Sequence, residues 1–318
     1  MDAASPSSLP VAIVGAGSIG VAFALVFTRA GHAVRLVDPD SGARERAQHT
    51  FRARATDLSA AGLLDETPDA LAGRLSLHAS MADAVTDVVL VIECAPERVE
   101  IKQVIFAELD RLAPPDAVLA SASSALPASR YTEDLAGRGR CLVAHPGNPP
   151  YLISVVEIVP APFTHAAAVE RAAHLFAGAG MHPIRVKKEI EGFVFNRLQG
   201  ALLREAYCLV RDGVASVEDI DTVVRDGLGL RWSLIGPFET VDLNTRGGIA
   251  SHAQKMGPAY ERMGAERGQH DPWTPDLVER VASERRTALP LEQWEDRVAW
   301  RDRAMMDLVA HRRKLSAT

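Results

Sequence analysis

The sequence contains little cysteine, few aromatic residues and no long hydrophobic run. Its 318 residues include 3 cysteines, and Phe, Trp and Tyr together make up 5%. Cys94, Cys141 and Cys208 lie far apart and match no metal-ligand spacing, and so sparse and odd a number argues against a disulfide-stapled secreted protein. No apolar run approaches the roughly 20 residues that a membrane span needs. The first ten residues also lack the basic start and apolar stretch of a secretory signal. These absences predict a cytoplasmic protein.

The chain also lacks the excess of basic residues that is typical of nucleic-acid-binding proteins. It has 35 Lys and Arg against 41 Asp and Glu, a formal net charge of −6 at pH 7. Such a surface does not attract phosphate backbones or anionic membranes. With 47% hydrophobic and 24% charged residues, the composition is that of a globular protein. We therefore expect a small-molecule partner, no nucleic acid and no membrane.

The first part of the chain alternates short apolar runs with helical stretches. The runs are Val11–Val14, Ala33–Val37, Leu75–Ala79, Val88–Glu93, Ala117–Ala122, Cys141–Ala144, Val155–Val159 and Pro183–Val186. Several are continuously rich in Val, Ile and Leu, which is typical of strands buried on both faces of a parallel sheet. The alternation predicts an α/β fold, with a Rossmann-like doubly wound sheet domain over residues 1–188.

After Glu191 the pattern becomes helical. Gly192–Asp212 reads as one amphipathic helix that Gly213 ends, and no strand-like run follows it. We therefore expect a smaller all-helical C-terminal domain over residues 189–318. Its apolar face is larger than a small helical cluster can bury alone, which favours a homodimer formed through this domain.

A glycine motif typical of dinucleotide binding follows the first predicted strand. Residues 11–20 read VAIVGAGSIG, a strand followed by Gly-x-Gly-x-x-Gly and a predicted helix. The first glycine would allow a tight turn, the second would let a pyrophosphate approach the backbone, and the third would let helix and strand pack closely. Free N–H groups at the helix start would bind the phosphates. The predicted cofactor contacts are Gly15, Ala16, Gly17, Ser18, Ile19 and Gly20.

An acidic residue, Asp38, ends the second predicted strand in the segment AVRLVDPD. Its carboxylate would accept hydrogen bonds from the adenosine ribose hydroxyls and would repel a 2′-phosphate, which predicts NAD rather than NADP as the cofactor. The alternative is that Asp38, Pro39 and Asp40 form only a turn and a helix cap.

Five later segments carry a resemblance to a known family. SASSAL around Ser124, HPGNPP after Ala144 and EGFVFNRL around Asn196 combine polar residues with the ends of apolar runs. With VVEIVPAP and DGLGLRWSLIGPFETVDLN, they resemble the L-3-hydroxyacyl-CoA dehydrogenase superfamily over nearly the whole chain. Within it, the chain is most similar to the λ-crystallin branch of L-gulonate 3-dehydrogenases, with L-carnitine dehydrogenase as a near relative.

The resemblance implies a catalytic constellation. His145 falls on the family's catalytic histidine and Glu157 on the carboxylate paired with it, whereas Ser124 and Asn196 fall on two polar residues that contact substrate. A histidine suits this chemistry because its pKa lies near working pH, so it accepts the hydroxyl proton while a hydride leaves carbon. Taken alone, His145 before Pro146 would be interpreted as a solvent-facing turn residue. The alternatives for the other two are a helix cap for Ser124 and a solvent-facing position for Asn196.

The same resemblance implies further cofactor contacts. Glu97 and Lys102, in APERVEIK, fall on positions that contact the nicotinamide half of NAD in relatives. Asn148 would orient either the reacting oxygen or the nicotinamide. Where the family's gulonate enzymes carry valine this chain has Gly147, which would enlarge the pocket.

The predicted substrate is a small free L-3-hydroxy acid. Arg231 matches an arginine of the free-acid branch, where its guanidinium would bind the carboxylate; the alternative is an interface salt bridge. An L-3-hydroxyacyl-CoA is the second candidate, because four arginines follow the second strand and would meet the phosphates of coenzyme A. L-Carnitine is the third candidate. The four arginines are Arg44, Arg46, Arg52 and Arg54. A solvated helix face is the favoured explanation, because acidic and small residues alternate with these arginines. The alternative to an enzyme is a non-enzymatic nucleotide-binding protein. That function would require the catalytic residues to have been lost.

Overall fold

The structure is a computed structural model that describes residues 9–233, 235–244, 248–267, 276, 287 and 290–316. By their contacts, residues 1–197 and 299–318 form one unit and residues 198–298 a second. The first is an α/β sheet unit and the described part of the second is helical, which confirms the predicted fold class. The domain boundary near residue 189 stays a prediction.

An eight-stranded sheet forms the centre of the first unit. Its strands are β1 (Val11–Val14), β2 (Val34–Val37), β3 (Leu75–His78), β4 (Leu90–Glu93), β5 (Val118–Ser121), β6 (Cys141–Pro146), β7 (Val155–Pro160) and β8 (His182–Arg185). They lie in the order β3-β2-β1-β4-β5-β6-β7-β8. The first six follow the doubly wound order of dinucleotide-binding domains.

One strand pair departs from the expected parallel sheet. β6 and β7 are antiparallel, whereas the other neighbouring strands are parallel. Only residues 147–154 connect the two strands, and a parallel crossover needs a dozen residues or more. The chain therefore turns back on itself, and His145 lies directly opposite Glu157.

Helices cover both faces of the sheet. They are α1 (Ser18–Arg29), α2 (Ser41–Ala60), α3 (Pro68–Ala72), α4 (Met81–Ala84), α5 (Val99–Leu112), α6 (Ser129–Thr132) and α7 (Ala166–Gly178). One hydrophobic cluster, which we call the α1 core, contains Phe23 of α1, Phe51 of α2 and Phe176 of α7. The cluster on the other face contains Phe106 of α5 and Tyr131 of α6.

The rest of the described chain is helical. Its elements are α8 (Phe195–Arg211), α9 (Val217–Thr222), a π-helical turn (Val223–Leu228), α10 (Gly229–Trp232), α11 (Pro237–Leu243), α12 (Gly248–Arg267), a 3-10 turn (Leu291–Gln293) and α13 (Trp294–Ser316). From Ala299 onward, α13 belongs to the first unit.

The helix predicted from Gly192 begins at Phe195 instead. Gly192 has φ 72° and Phe193 has φ 49°, both in the left-handed region, so neither can start a right-handed helix. A phenylalanine rarely adopts this conformation. Phe193 is fully buried, so its packing holds the backbone there.

Candidate active site

The glycine motif forms the turn between β1 and α1. Gly15 has φ 108°, and its N–H donates to the carbonyl of Val37 at 2.8 Å. A Cβ at Gly20 would overlap the carbonyl oxygen of Gly15, whereas a Cβ at Gly17 would meet no atom within 4 Å. Gly17 is the N-cap of α1 and offers no side-chain cap, so the first N–H groups of the helix stay open to an anion.

A cavity of about 800 Å³ lies over this turn and is lined by Gly15, Ala16, Gly17 and Asp38 among others. The Asp38 carboxylate accepts hydrogen bonds from the N–H of Ala16 at 2.9 Å and of Asp40 at 3.0 Å. Asp40, and not Asp38, caps α2, by accepting from the N–H of Gly42. Asp38 thus closes a turn and Asp40 caps α2, as the alternative expects. Asp38 also lines the cavity, and the residues present there fit the adenosine half of NAD.

A buried histidine–carboxylate pair lies at the end of β6. His145 Nδ1 is 2.7 Å from Glu157 Oε2, and the two residues are 7% and 1% exposed. The rings of Phe193 and Phe195 lie 5.7 Å and 6.2 Å from the imidazole. Because Glu157 takes Nδ1, Nε2 is the ring nitrogen left for another partner.

The other oxygen of Glu157 is held by the start of α8. Oε1 accepts hydrogen bonds from the N–H groups of Val194 at 2.7 Å and Phe195 at 3.0 Å. N–H groups at a helix start favour a negative charge. The carboxylate is therefore kept in place for His145 by two elements, β7 and α8.

Ser124 and Asn196 also come together. Asn196 Nδ2 donates to the carbonyl of Ser124 at 2.8 Å, so the first turn of α8 contacts the loop after β5 as well as Glu157. Ser124 is exposed, and Asn148 is exposed in the β6–β7 loop (residues 147–154). Gly147 does not open a pocket, because a Cβ there would overlap the side chain of Ile153.

Glu97 organises the loop that carries Ser124. Its Oε1 accepts hydrogen bonds from the Ser123 hydroxyl at 2.7 Å and the N–H groups of Ala125 at 2.6 Å and Leu126 at 3.1 Å. Partial burial disfavours the charged carboxylate, but these donors outweigh it and hold the pKa of Glu97 below its ordinary value.

A buried ion pair next to this loop was missed by the sequence analysis. Lys102 Nζ lies 2.9 Å and 2.7 Å from the two oxygens of Glu93 and 3.2 Å from the hydroxyl of Ser121. Lys102 is 1% exposed, and Glu93 and Ser121 are fully buried. The only sequence signal was a carboxylate at the end of the apolar run before Cys94. The predicted contact of Lys102 with the nicotinamide would require this network to open.

The arginine candidates make contacts of their own. Arg231 is an exposed residue of α10 in the second unit, and it donates to Asn244 Oδ1 at 3.3 Å. Each of the four arginines on α2 has a protein partner: a carbonyl oxygen of Asp38 or Pro39 for Arg44, Asp40 for Arg46, Asp69 for Arg52, and Asp57 with Asp302 for Arg54. The exposed pairs of Arg46 and Arg52 support the solvated helix face, whereas Arg54 faces the buried Asp302.

The described residues give no support for a metal site, a membrane-spanning helix or a cysteine nucleophile. Within them, no group of three or more His, Cys, Asp or Glu side chains is placed to hold a metal ion. None of their helices combines the length and apolar character that crossing a bilayer requires. Burial raises the pKa of the Cys94 thiol, which lines the cavity, and raises that of Cys141 to about 12, so neither is a ready nucleophile.

Comparisons with known proteins identify two family domains in the chain. Residues 10–190 match the NAD-binding domain of 3-hydroxyacyl-CoA dehydrogenase and residues 192–290 its C-terminal domain. The chain is 38% identical to λ-crystallin of Oryctolagus cuniculus, covering 98% of this chain and 99% of that protein. It is 35% identical to a 3-hydroxyacyl-CoA dehydrogenase of Gibberella moniliformis, covering 96% of each. It is 36% identical to L-carnitine dehydrogenase of Streptomyces griseus, covering 94% and 88%.

A solved structure extends the similarity to the fold. It is 5-formyl-3-hydroxy-2-methylpyridine 4-carboxylic acid 5-dehydrogenase, an NAD⁺-dependent dismutase, with a TM-score of 0.82 and 29% identity over 97% of this chain and 99% of that one. The glycine turn, the cavity above it and both family domains agree with this assignment. The chain therefore belongs to the 3-hydroxyacyl-CoA dehydrogenase family and is an NAD-dependent oxidoreductase acting on CH–OH groups.

Proposed function

We propose that the protein oxidises the 3-hydroxyl group of a small free L-3-hydroxy acid, such as L-gulonate, with His145 as general base. The observation that carries the proposal is the buried His145–Glu157 pair, whose carboxylate is held at the start of α8. Burying a carboxylate costs several kcal/mol unless it is paired, and a solvent-facing turn histidine would need no such partner.

The two residues divide the work of proton transfer. Glu157 holds the Nδ1 proton of a neutral His145 ring, which leaves the lone pair on Nε2. Nε2 accepts the proton of the substrate hydroxyl, and the negative charge of Glu157 stabilises the resulting imidazolium. Bound NAD⁺ would supply the acceptor for the hydride that leaves the carbon. In the reverse direction the imidazolium returns the proton.

Polar side chains around the pair would hold the reacting oxygen. The exposed hydroxyl of Ser124 and the second N–H of the Asn196 amide are donors suited to an oxygen that gains negative charge. Asn148 would orient the same oxygen or the nicotinamide. For the cofactor, we assign the pyrophosphate to the turn from Gly15 to Gly20 and the adenosine ribose to Asp38. Glu97 shapes the nicotinamide side through the Ser124 loop.

The free acid is favoured over the thioester for two reasons. Arg231 is exposed and makes one long hydrogen bond, which leaves donors for a substrate carboxylate. The α2 arginines already have protein partners, so phosphates would have to displace them. The thioester stays the second candidate, supported by the fungal relative, and L-carnitine the third, supported by the Streptomyces enzyme.

A turnover panel tests the proposal. L-Gulonate, L-3-hydroxybutyrate, L-carnitine and L-3-hydroxybutyryl-CoA are each offered with NAD and with NADP, and NADH is followed by absorbance. We expect turnover of a free acid with NAD and a loss of about 10²-fold or more in His145→Ala. If no free acid reacts, the substrate proposal fails.

Arg231→Leu separates the two substrate classes. It should abolish turnover of the free acid and leave any thioester turnover nearly unchanged, because a thioester offers no carboxylate to the guanidinium. Arg225→Leu is the matched control, since this exposed arginine of the same unit already pairs with Asp226. Equal effects of both variants on the free acid would contradict the role of Arg231.

We also propose a cytoplasmic homodimer formed through the helical domain over residues 189–318. Large apolar side chains of this region are exposed, among them Leu230 (67%), Phe238 (78%) and Leu243 (68%). Exposed apolar side chains of this size are typical of protein–protein contacts.

A further inference from the structure

The last helix of the chain reaches the loop that follows the catalytic strand. α13 lies beyond residue 290, where the family match ends. Met306 of α13 is 1% exposed and belongs to the α1 core, and Met305, Val309 and Ala310 pack against that core. One turn before Met306, Asp302 is 3% exposed. A carboxylate this deeply buried requires polar partners.

The partners of Asp302 include one residue of the β6–β7 loop (residues 147–154) and one of α2. The hydroxyl of Tyr151 donates to Oδ2 at 3.4 Å, and Arg54 Nη1 of α2 lies 3.8 Å from the same oxygen. Tyr151 is itself 8% exposed and lies in the α1 core beside Leu152. Its carbonyl accepts from Arg29 Nη1 at 3.4 Å. Tyr151 is therefore held at its backbone by α1 and at its hydroxyl by α13.

Tyr151 belongs to the β6–β7 loop, which begins directly after the strand that ends with His145 and Pro146. At the base of the loop, the N–H of Gly147 donates to the carbonyl of Val155 at 3.0 Å. In the middle, the N–H groups of Leu152 and Ile153 donate to the carbonyl of Pro149. These bonds lie within the loop or join it to β7, and Ser154 joins its end to β8 through His182. The middle of the loop is held to the α1 core by the buried side chains of Tyr151 and Leu152. The Tyr151 hydroxyl adds a polar contact with α13.

We propose that Asp302 is a positioning residue for the active site: it anchors Tyr151 and so fixes the loop that carries Asn148 next to His145. The chain thus uses its last helix to complete the support of its own site. The anchoring stands on the observed contacts alone, whereas its effect on turnover rests on the proposed function of His145 and Asn148.

Hydrogen exchange of the intact protein tests the anchoring. Asp302→Asn and Tyr151→Phe should each raise the exchange rate of the loop amides of residues 147–154 by about five- to tenfold. Tyr151→Phe removes the hydrogen bond that opposes local opening, and Asp302→Asn removes the negative charge that strengthens it. Asp307→Asn, an exposed carboxylate of the same helix, should leave the loop unchanged. If Asp302→Asn fails to fold, Tyr151→Phe alone decides the outcome. Unchanged exchange in Tyr151→Phe overturns the proposal.

Kinetics then distinguish positioning from simple support of the fold. We expect kcat to fall by about five- to tenfold in both variants, with the KM for NAD unchanged and no additive loss in the double variant, because both changes break the same contact. Faster loop exchange with an unchanged kcat would overturn the positioning role. If no substrate of the panel reacts, the proposed function fails, and loop exchange still tests the anchoring by itself.

Discussion

At the scale of single residues, the site depends on carboxylates that several donors hold at once. Glu157 receives His145 on one oxygen and two N–H groups on the other. Glu97 receives three donors on one oxygen. Charge-assisted bonds of this kind are about twice as strong as neutral ones, so such carboxylates hold loops in place as well as supply charge. The effect of Glu97, whose pKa is lowered, is therefore expected to depend on pH.

The lowered pKa of Glu97 gives a prediction with a defined sign. Because the folded state depresses this pKa, the stability gained is complete above the ordinary value and is lost as pH falls through the folded-state pKa. The difference in free energy of unfolding between wild type and Glu97→Gln should be constant from pH 7 to about 5 and should shrink below that range. Urea unfolding of both proteins, within this pH range and below it, measures the difference in free energy of unfolding. Glu45→Gln, an exposed carboxylate of α2, should show no such trend; a difference that grows at low pH would contradict the assignment.

At the scale of elements, close contacts between strands and helices impose the site's geometry. The β1–α1 turn needs two glycines for different reasons, one for packing and one for open space above the backbone. The end of β4 is joined to α5 by the buried Glu93–Lys102 pair. The antiparallel β6–β7 pair aligns His145 with Glu157. Each contact makes a separate prediction possible.

The two glycines should respond differently to alanine. Gly20→Ala should destabilise the fold by about 1–3 kcal/mol, because its Cβ would overlap the Gly15 carbonyl. Gly17→Ala should leave the melting temperature nearly unchanged, since nothing lies within 4 Å of its Cβ. It should still weaken NADH binding at least tenfold by blocking the approach of the pyrophosphate. Thermal unfolding and NADH fluorescence titration measure both effects. Normal NADH binding by Gly17→Ala would refute this placement of the pyrophosphate.

The Glu93–Lys102 pair should show strong coupling. Lys102→Met should cost about 3–5 kcal/mol, because it leaves the buried Glu93 carboxylate without its counter-charge. The double variant Glu93→Gln/Lys102→Met should cost less than Lys102→Met alone, since no charge stays unpaired. Urea unfolding of the variants at pH 7 measures the coupling. Additive losses would mean that the two side chains do not depend on each other.

At the scale of the whole molecule, the chain divides into a sheet unit that carries the dinucleotide turn and the histidine pair, and a helical unit that carries Arg231. The sheet unit buries its large apolar side chains on both faces of the sheet. The helical unit exposes many of its own, including Leu230 and Phe238. This contrast is what the proposed homodimer would explain.

The dimer can be tested without the reaction. Light scattering after size exclusion should give twice the chain mass of 34.2 kDa for the wild type. Leu230→Asp/Phe238→Asp should shift the protein toward the monomer, because a charge in an apolar contact is costly. Val104→Asp, an exposed apolar residue of α5 at 69%, is the control. A wild type that elutes as a monomer would reject the proposal.

The sequence by itself determined the order of the strands in the sheet unit. All eight apolar runs became strands whose ends differ by at most two residues from the prediction. For the inner strands the reason is that burial on both faces needs continuous apolar residues, whereas the edge strands β3 and β8 are more exposed. The glycine turn and Asp38 could likewise be located, since tight turns and close backbone approaches restrict the residue type locally. His145, Glu157, Ser124 and Asn196 were named through the resemblance to relatives.

What only the tertiary structure decided are the contacts between residues far apart in the chain. The opposition of His145 and Glu157 follows from an antiparallel turn that apolar periodicity does not reveal. The late start of α8 comes from Phe193, whose burial outweighs its preference for negative φ. The Glu93–Lys102 pair and the docking of Asp302 on Tyr151 join residues whose separation in sequence carries no pattern. Local propensity acts over a few residues, whereas these side chains acquire their partners only when burial removes water from around them.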